Sequence, residues 1–72
     1  MAVVIYGKDG CGYTKAARDD YAKRLVAAQY VNVQADPERM KEMLRYTKGK
    51  RVVPVIVEDG RVTIGFPGTC PV

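Results

Sequence analysis

Histidine and tryptophan are absent from this 72-residue sequence, phenylalanine occurs once, and cysteine occurs twice, as Cys11 and Cys70. Each scarcity closes off a class of chemistry. Without histidine there is no Cys-His nucleophilic pair, so a thiol here must draw its activation from backbone dipoles, Lys or Arg. Two cysteines and no histidine cannot supply the four Cys or His ligands of a closed zinc site from one copy. No apolar run approaches the ~20 residues needed to cross a bilayer. The short apolar run Met1 to Tyr6 has no basic segment before it and no cleavage pattern. It reads as a first strand and not as a signal peptide, which makes the cytoplasm the expected compartment. There is no Pro- or Ser-rich linker, repeat or low-complexity tract, and one domain is expected. A domain this short buries only about 60% of its unfolded surface. Acidic residues are the minority, 8 against 12 Lys and Arg, for a net charge of +4 and a pI near 9.3. The excess is spread along the chain and reads as solvated helix faces. No basic run is interleaved with aromatics, so neither nucleic acid nor membrane is an expected partner.

What is present alternates between two periods. Ala2 to Tyr6 is a short β-branched run ending at Gly7, which predicts a strand buried on both faces. Gly7 to Gly12 holds three glycines and reads as a tight loop. From about Tyr13 to Ala28 the spacing is helical, with Ala17, Tyr21, Leu25 and Ala28 on one stripe. Tyr30 to Gln34 predicts a second strand. Asp36-Pro37 is a helix start, Asp as N-cap and Pro at the first helical position. Met40, Met43, Leu44 and Thr47 share a face, and Gly49 is a plausible stop. Val52 to Val57 reads as a strand interrupted by Pro54, Glu58-Asp59-Gly60 as a hairpin turn, and Arg61 to Ile64 as the fourth strand. Gly65 to Val72 reads as an irregular tail. The order β-α-β-α-β-β predicts an α/β fold with two helices on a mixed four-stranded sheet.

Cys11 is the sharpest feature. It ends a loop that joins a buried strand to a helix, where the first free N–H groups and the helix dipole favour a thiolate. Lys8 and Lys15 flank it and add positive charge. Thiols so placed have pKa values lowered from about 8.5 toward roughly 3.5–7.5. The competing reading is a buried small hydrophobe, against which the glycines flanking Cys11 are expected to leave it uncovered. Pro54, at the start of an apolar strand, removes a ladder N–H. In the cis form it turns the Val53 carbonyl and N–H toward Cys11, where they can pair with the backbone of a bound thiol peptide. In the trans form it is an edge-strand proline.

Tyr6-Gly7-Lys8-Asp9-Gly10-Cys11-Gly12-Tyr13-Thr14 resembles the glutaredoxin pattern Y-x-K-x-x-C-x-x-C. It is most similar to the monothiol type, in which C-G-F-S replaces the dithiol motif. Val52-Val53-Pro54-Val55-Ile56 resembles the T-V-P-x-I segment, and Gly65 stands where glutaredoxins carry a Gly-Gly step. The resemblance implies a thioredoxin-like fold over residues 1–65, a cis Pro54 facing Cys11, and a cysteine-containing tail over 66–72. It also implies glutathione as co-substrate, with Lys8 attracting a glutathione carboxylate and Tyr13 walling the thiol groove. Val53, Pro54 and Gly65 complete that binding set. Thr14 stands at the second-cysteine position and cannot resolve a disulfide. Its hydroxyl is expected to hydrogen-bond the Cys11 thiolate or, more simply, to cap the helix. The tail Cys70-Pro71-Val72, with Tyr13 to Arg18 and Met43 to Tyr46, also resembles the small UXX-star (seleno)protein family. That implies a second redox centre at Cys70, which is too near the end for a prenylation signal. A departure is the third helix with which most glutaredoxins continue. Its absence is expected to weaken glutathione binding and to bare an apolar patch, giving a monomer or a weak homodimer.

Two function classes follow. In the first, Cys11 is the nucleophile of thiol–disulfide exchange on glutathione mixed disulfides or protein disulfides, resolved by glutathione or by Cys70. In the second, the chain is a non-catalytic carrier of a [2Fe–2S] cluster, with Cys11 and glutathione from two copies supplying four thiolates. A binding module with a silent cysteine is a third reading.

Overall fold

The computed structural model describes residues 2–72. The element order is β1 (Val3–Gly7), α1 (Gly12–Lys23), β2 (Gln29–Asn32), α2 (Pro37–Thr47), β3 (Val52–Val53), β4 (Val55–Glu58), β5 (Arg61–Ile64) and β6 (Cys70–Pro71). Four strands form one mixed sheet in the order β2-β1-β4-β5. β1 runs parallel to β2 and antiparallel to β4, and β4 runs antiparallel to β5. This is the expected α/β architecture with its two helices. The Val52 to Val57 run is two strands, because Pro54 interrupts it: β4 joins the main sheet while β3 leaves it to pair with β6.

Side-chain alternation along the strands divides the interior in two. Val3, Ile5 and Ile56 meet Ala17 and Tyr21 of α1. Tyr6, Val31, Val33, Val55 and Val57 meet Met40 and Met43 of α2. Ile56 is buried, Phe66 packs against its cluster, and its cross-strand neighbour on β5 is the polar Thr63. The exposed apolar residues of β5, Val62 and Ile64, lie opposite Val57 and Val55 and so share the α2 face.

The helix ends follow local chemistry. The Asp36 side chain accepts from the backbone N–H groups of Glu38 and Arg39 at 3.1 and 3.3 Å, with Pro37 opening the helix as expected. α1 is shorter than the apolar stripe suggests. Leu25 takes a left-handed φ of 57°, its N–H donates to the Ala22 carbonyl, and the Val26 N–H donates to the Tyr21 carbonyl. That is the Schellman closure of a helix, here with leucine in the usual glycine position. Leu25 is accordingly 93% exposed and not part of the core stripe, whereas Val26 packs against the cluster containing Tyr21. The Glu58–Arg61 register leaves a two-residue turn in which Asp59 and Gly60 both have positive φ, the hairpin geometry read from Glu58-Asp59-Gly60.

Candidate active site

Cys11 is the N-cap residue of α1, in extended conformation, at the end of the loop leaving β1. Its sulfur is bonded to that of Cys70, 59 residues away, with the two Cα atoms 6.1 Å apart. The glycine-flanked cysteine expected to stand uncovered is instead 2% exposed. It lies in the α2-side core with Tyr6 and Val53, and Cys70 and Val72 pack against that core. Cys70 itself is only partly buried.

The segment expected to be an irregular tail is ordered by four sets of contacts. β6 pairs antiparallel with β3, Val53 opposite Cys70 and Val52 opposite Pro71. Lys8 Nζ donates to the Pro71 carbonyl at 2.8 Å. Arg51 Nε donates to the Val72 carbonyl at 3.0 Å, and the Val72 N–H donates back to the Arg51 carbonyl at 3.0 Å. Gly68 lies beneath the Tyr13 ring so closely that an added Cβ would sit 2.6 Å from Tyr13 Cζ. The periodicity of residues 65–72 hides this strand because it is two residues long and its partner is a strand split off by Pro54.

The Val53–Pro54 peptide bond is cis, and so is Phe66–Pro67. The Gly65 N–H donates to the Pro54 carbonyl at 2.8 Å, tying the end of β5 to the proline. Lys8, expected near a ligand carboxylate, is engaged with the tail carbonyl. Lys15 is paired with Asp19 at 2.7 Å on the exposed face of α1, so its charge is shared away from the thiol. Tyr13 is 43% exposed, with its ring against Gly68.

Thr14 does not cap the helix. It lies inside α1, three residues past the N-cap, and the N-cap Cys11 makes no side-chain cap hydrogen bond. It is 1% exposed, its Oγ1 has no hydrogen-bond partner among the described residues, and its side chain packs directly on Gly7. Burial at the first turn explains this, because the N-cap position already belongs to Cys11.

Two tyrosines tie the loop and strand next to Cys11 to other elements. Tyr30 OH donates to Asp9 Oδ1 at 2.7 Å, anchoring the loop before Cys11, while Arg18 stacks on the Tyr30 ring at 3.9 Å. Burial, reinforced by the Asp9 carboxylate, pushes the Tyr30 hydroxyl up to about 12. Tyr6 OH donates to the Glu42 carboxylate. Burial first, and then Glu42, likewise push the Tyr6 hydroxyl up to about 12. Three contributors escaped the sequence reading: Arg51, Asp9 and Gly68. Arg51 directly precedes the Val52-Val53-Pro54 segment, so that segment was its signal. Asp9 and Gly68 are small loop residues whose partners lie far along the chain.

Comparison with known proteins agrees with this geometry. No curated protein sequence matches the chain. Among solved structures, the chain is similar to NrdH-redoxin from Escherichia coli, described as a glutaredoxin-like protein with a thioredoxin-like activity profile. The two superpose with a TM-score of 0.79 at 29% identity, over 92% of this chain and 84% of that one. The model of the glutaredoxin family matches residues 3–63, from β1 through most of β5, and the chain belongs to that family.

Proposed function

We propose that the protein is a thiol–disulfide oxidoreductase in which Cys11 is the nucleophile and Cys70 the resolving thiol. The observation that carries this is the Cys11–Cys70 bond at the N-terminus of α1, with the tail seated on β3. In the reduced protein the Cys11 thiolate attacks one sulfur of a substrate disulfide, forming a mixed disulfide and expelling the other substrate thiol. The Cys70 thiolate then attacks Cys11 Sγ, closes the internal disulfide and releases the second substrate thiol. The substrate is reduced by two electrons and the protein is oxidised by two.

Each remaining residue has a task. The Val53 backbone and Pro54 present the edge on which a substrate segment or the tail lies. Lys8 and Tyr13 line that groove, and Gly65 holds its floor through Pro54. The unpartnered Thr14 hydroxyl is the donor available to a Cys11 thiolate one turn away. The substrate class is a protein disulfide or a glutathione mixed disulfide. The thioredoxin-like activity profile ascribed to NrdH-redoxin favours the protein disulfide. Such a cycle suits a reducing compartment, hence the cytoplasm, and needs only a monomer. No helix among the described residues is long and apolar enough to cross a membrane.

The [2Fe–2S] reading does not fit the oxidised form. A cluster requires Cys11 as a thiolate ligand, whereas Cys11 is bonded to Cys70 and the tail lies along the groove beside it. Protein carrying the Cys11–Cys70 bond is expected to be colourless.

The deciding experiment is a pH titration of Cys11 alkylation in the Cys70→Ser protein, alongside oxidised wild type. An apparent pKa well below about 8.5, with both thiols lost together on oxidation, is the expected outcome. A free-cysteine pKa and two independently reacting thiols would overturn the exchange mechanism in favour of a binding role.

A further inference from the structure

The two sulfurs of the internal bond are not equivalent, and the difference bears on how electrons return to the protein. A thiolate reduces a disulfide by attacking one sulfur and expelling the other, and access and leaving-group acidity decide which. Cys11 is 2% exposed, enclosed by the α2-side core and by the tail above it. Cys70 is partly exposed, on a two-residue strand held to the body by β3, Lys8 and Arg51. As leaving group, Cys11 is released at the positive end of α1, where the free N–H groups of the first turn stabilise a thiolate. Cys70 is itself a strand residue, in β6, and reaches the α1 terminus only through the bond to Cys11. Access and leaving-group stability therefore favour the same direction.

We propose, on the footing of the exchange mechanism above, that the recycling thiol attacks Cys70 Sγ and expels Cys11 as the thiolate. The reductant is a thiol, small or protein-borne. Its sulfur forms a bond to Cys70 Sγ as the Cys11–Cys70 bond breaks, and the electron pair of that bond stays on Cys11 Sγ. A second reductant thiolate then attacks its own kind on the Cys70 adduct, leaving the oxidised reductant and a free Cys70 thiolate. Cys11 takes electrons to the substrate, and Cys70 takes electrons in. The groove on β3 is vacated in the first of these steps, because the tail leaves carrying the reductant. Substrate admission is thus tied to arrival of the reductant.

The test uses oxidised full-length protein, glutathione as the probe thiol, and N-ethylmaleimide to trap the freed cysteine. Maleimide is raised until the product ratio no longer changes, so that trapping outpaces reclosure. Mass mapping of the tryptic peptides 9–15 and 62–72 then reports which cysteine carries glutathione. The expected result is glutathione on Cys70 and maleimide on Cys11, in about ten-fold excess or more over the reverse. Glutathione on Cys11 in equal or greater amount overturns the proposal and leaves the exchange mechanism standing. An oxidised protein whose two cysteines are not joined overturns both.

Discussion

At the scale of single residues, the tightest position is Gly7, where the last residue of β1 passes under Thr14. A Cβ there would collide with the Thr14 methyl and lie 2.8 Å from Thr14 Oγ1. Both residues are enclosed, so the backbone must give way. Gly7→Ala is expected to cost about 1–3 kcal/mol of stability, as overpacked core sites do. The midpoint of urea unfolding checks this, and an unchanged midpoint would show that Thr14 yields freely. Gly7 and Thr14 stand inside the Tyr6 to Thr14 motif, so the sequence marked them. It did not disclose that they touch, because contact between a strand end and a helix turn is a tertiary fact. Leu25 is the opposite case. Its side chain continues the apolar stripe of α1, yet the chain turns left-handed there and the helix is already over. Apolar spacing reports where side chains would point if the helix went on, and carries no signal for closure by a leucine.

At the scale of elements, the helices and main strands were legible because each is long enough to show its period. Two-residue strands have no period: β6 escaped, and β3 was read only as the first part of a strand that Pro54 interrupts. The tail's fold depends on its glycines in different ways. Gly65 has φ of +94°, and a Cβ there would lie 2.7 Å from the Pro67 carbonyl, which is backbone. Gly68 would meet only the Tyr13 ring, which is partly exposed and can rotate aside. Gly65→Ala is therefore expected to destabilise the oxidised protein by about 1–2 kcal/mol or more and to slow closure of the Cys11–Cys70 bond. Gly68→Ala is expected to stay within about 0.5 kcal/mol of wild type. Parallel denaturation of the two variants, with reoxidation followed by thiol counting, separates these outcomes. Equal effects would mean that the tail is not held by the turn at Gly65.

For the whole molecule, one covalent link joins the beginning of α1 to the last strand across 59 residues. Closing a loop of that size removes unfolded-state entropy equivalent to about 4 kcal/mol. In a domain of this length that corresponds to a rise in Tm of roughly 15–30 °C. Thermal unfolding with and without reductant is expected to differ by that order, and a difference of only a degree or two would indicate that the cysteines are not paired. Alkali supplies a second global probe. Tyr6 and Tyr30 bind their protons more tightly in the folded chain, up to about 12. Their contribution to stability is complete below the ordinary tyrosine value of about 10 and is lost as pH rises toward their folded values. Phenolate absorbance should show Tyr6 and Tyr30 titrating late among the five tyrosines, with Tyr21 also raised by burial and by Glu58, and Tyr30→Phe should remove one late group. Five coincident titrations would refute the ties described to Asp9 and Glu42.

The pairing of β6 with β3 has a further consequence when viewed as edge protection. A strand edge with unsatisfied N–H and C=O groups is a template for any extended chain that reaches it, whether client or contaminant. In the oxidised protein the tail covers that edge. Once the sulfurs part, the covering strand is held only by non-covalent contacts: its own short pairing, Lys8, Arg51, and packing of the tail on Tyr13 and the core. Reduced protein is then the adhesive form, and its solubility at high concentration should depend on the oxidation state of a single pair of sulfur atoms.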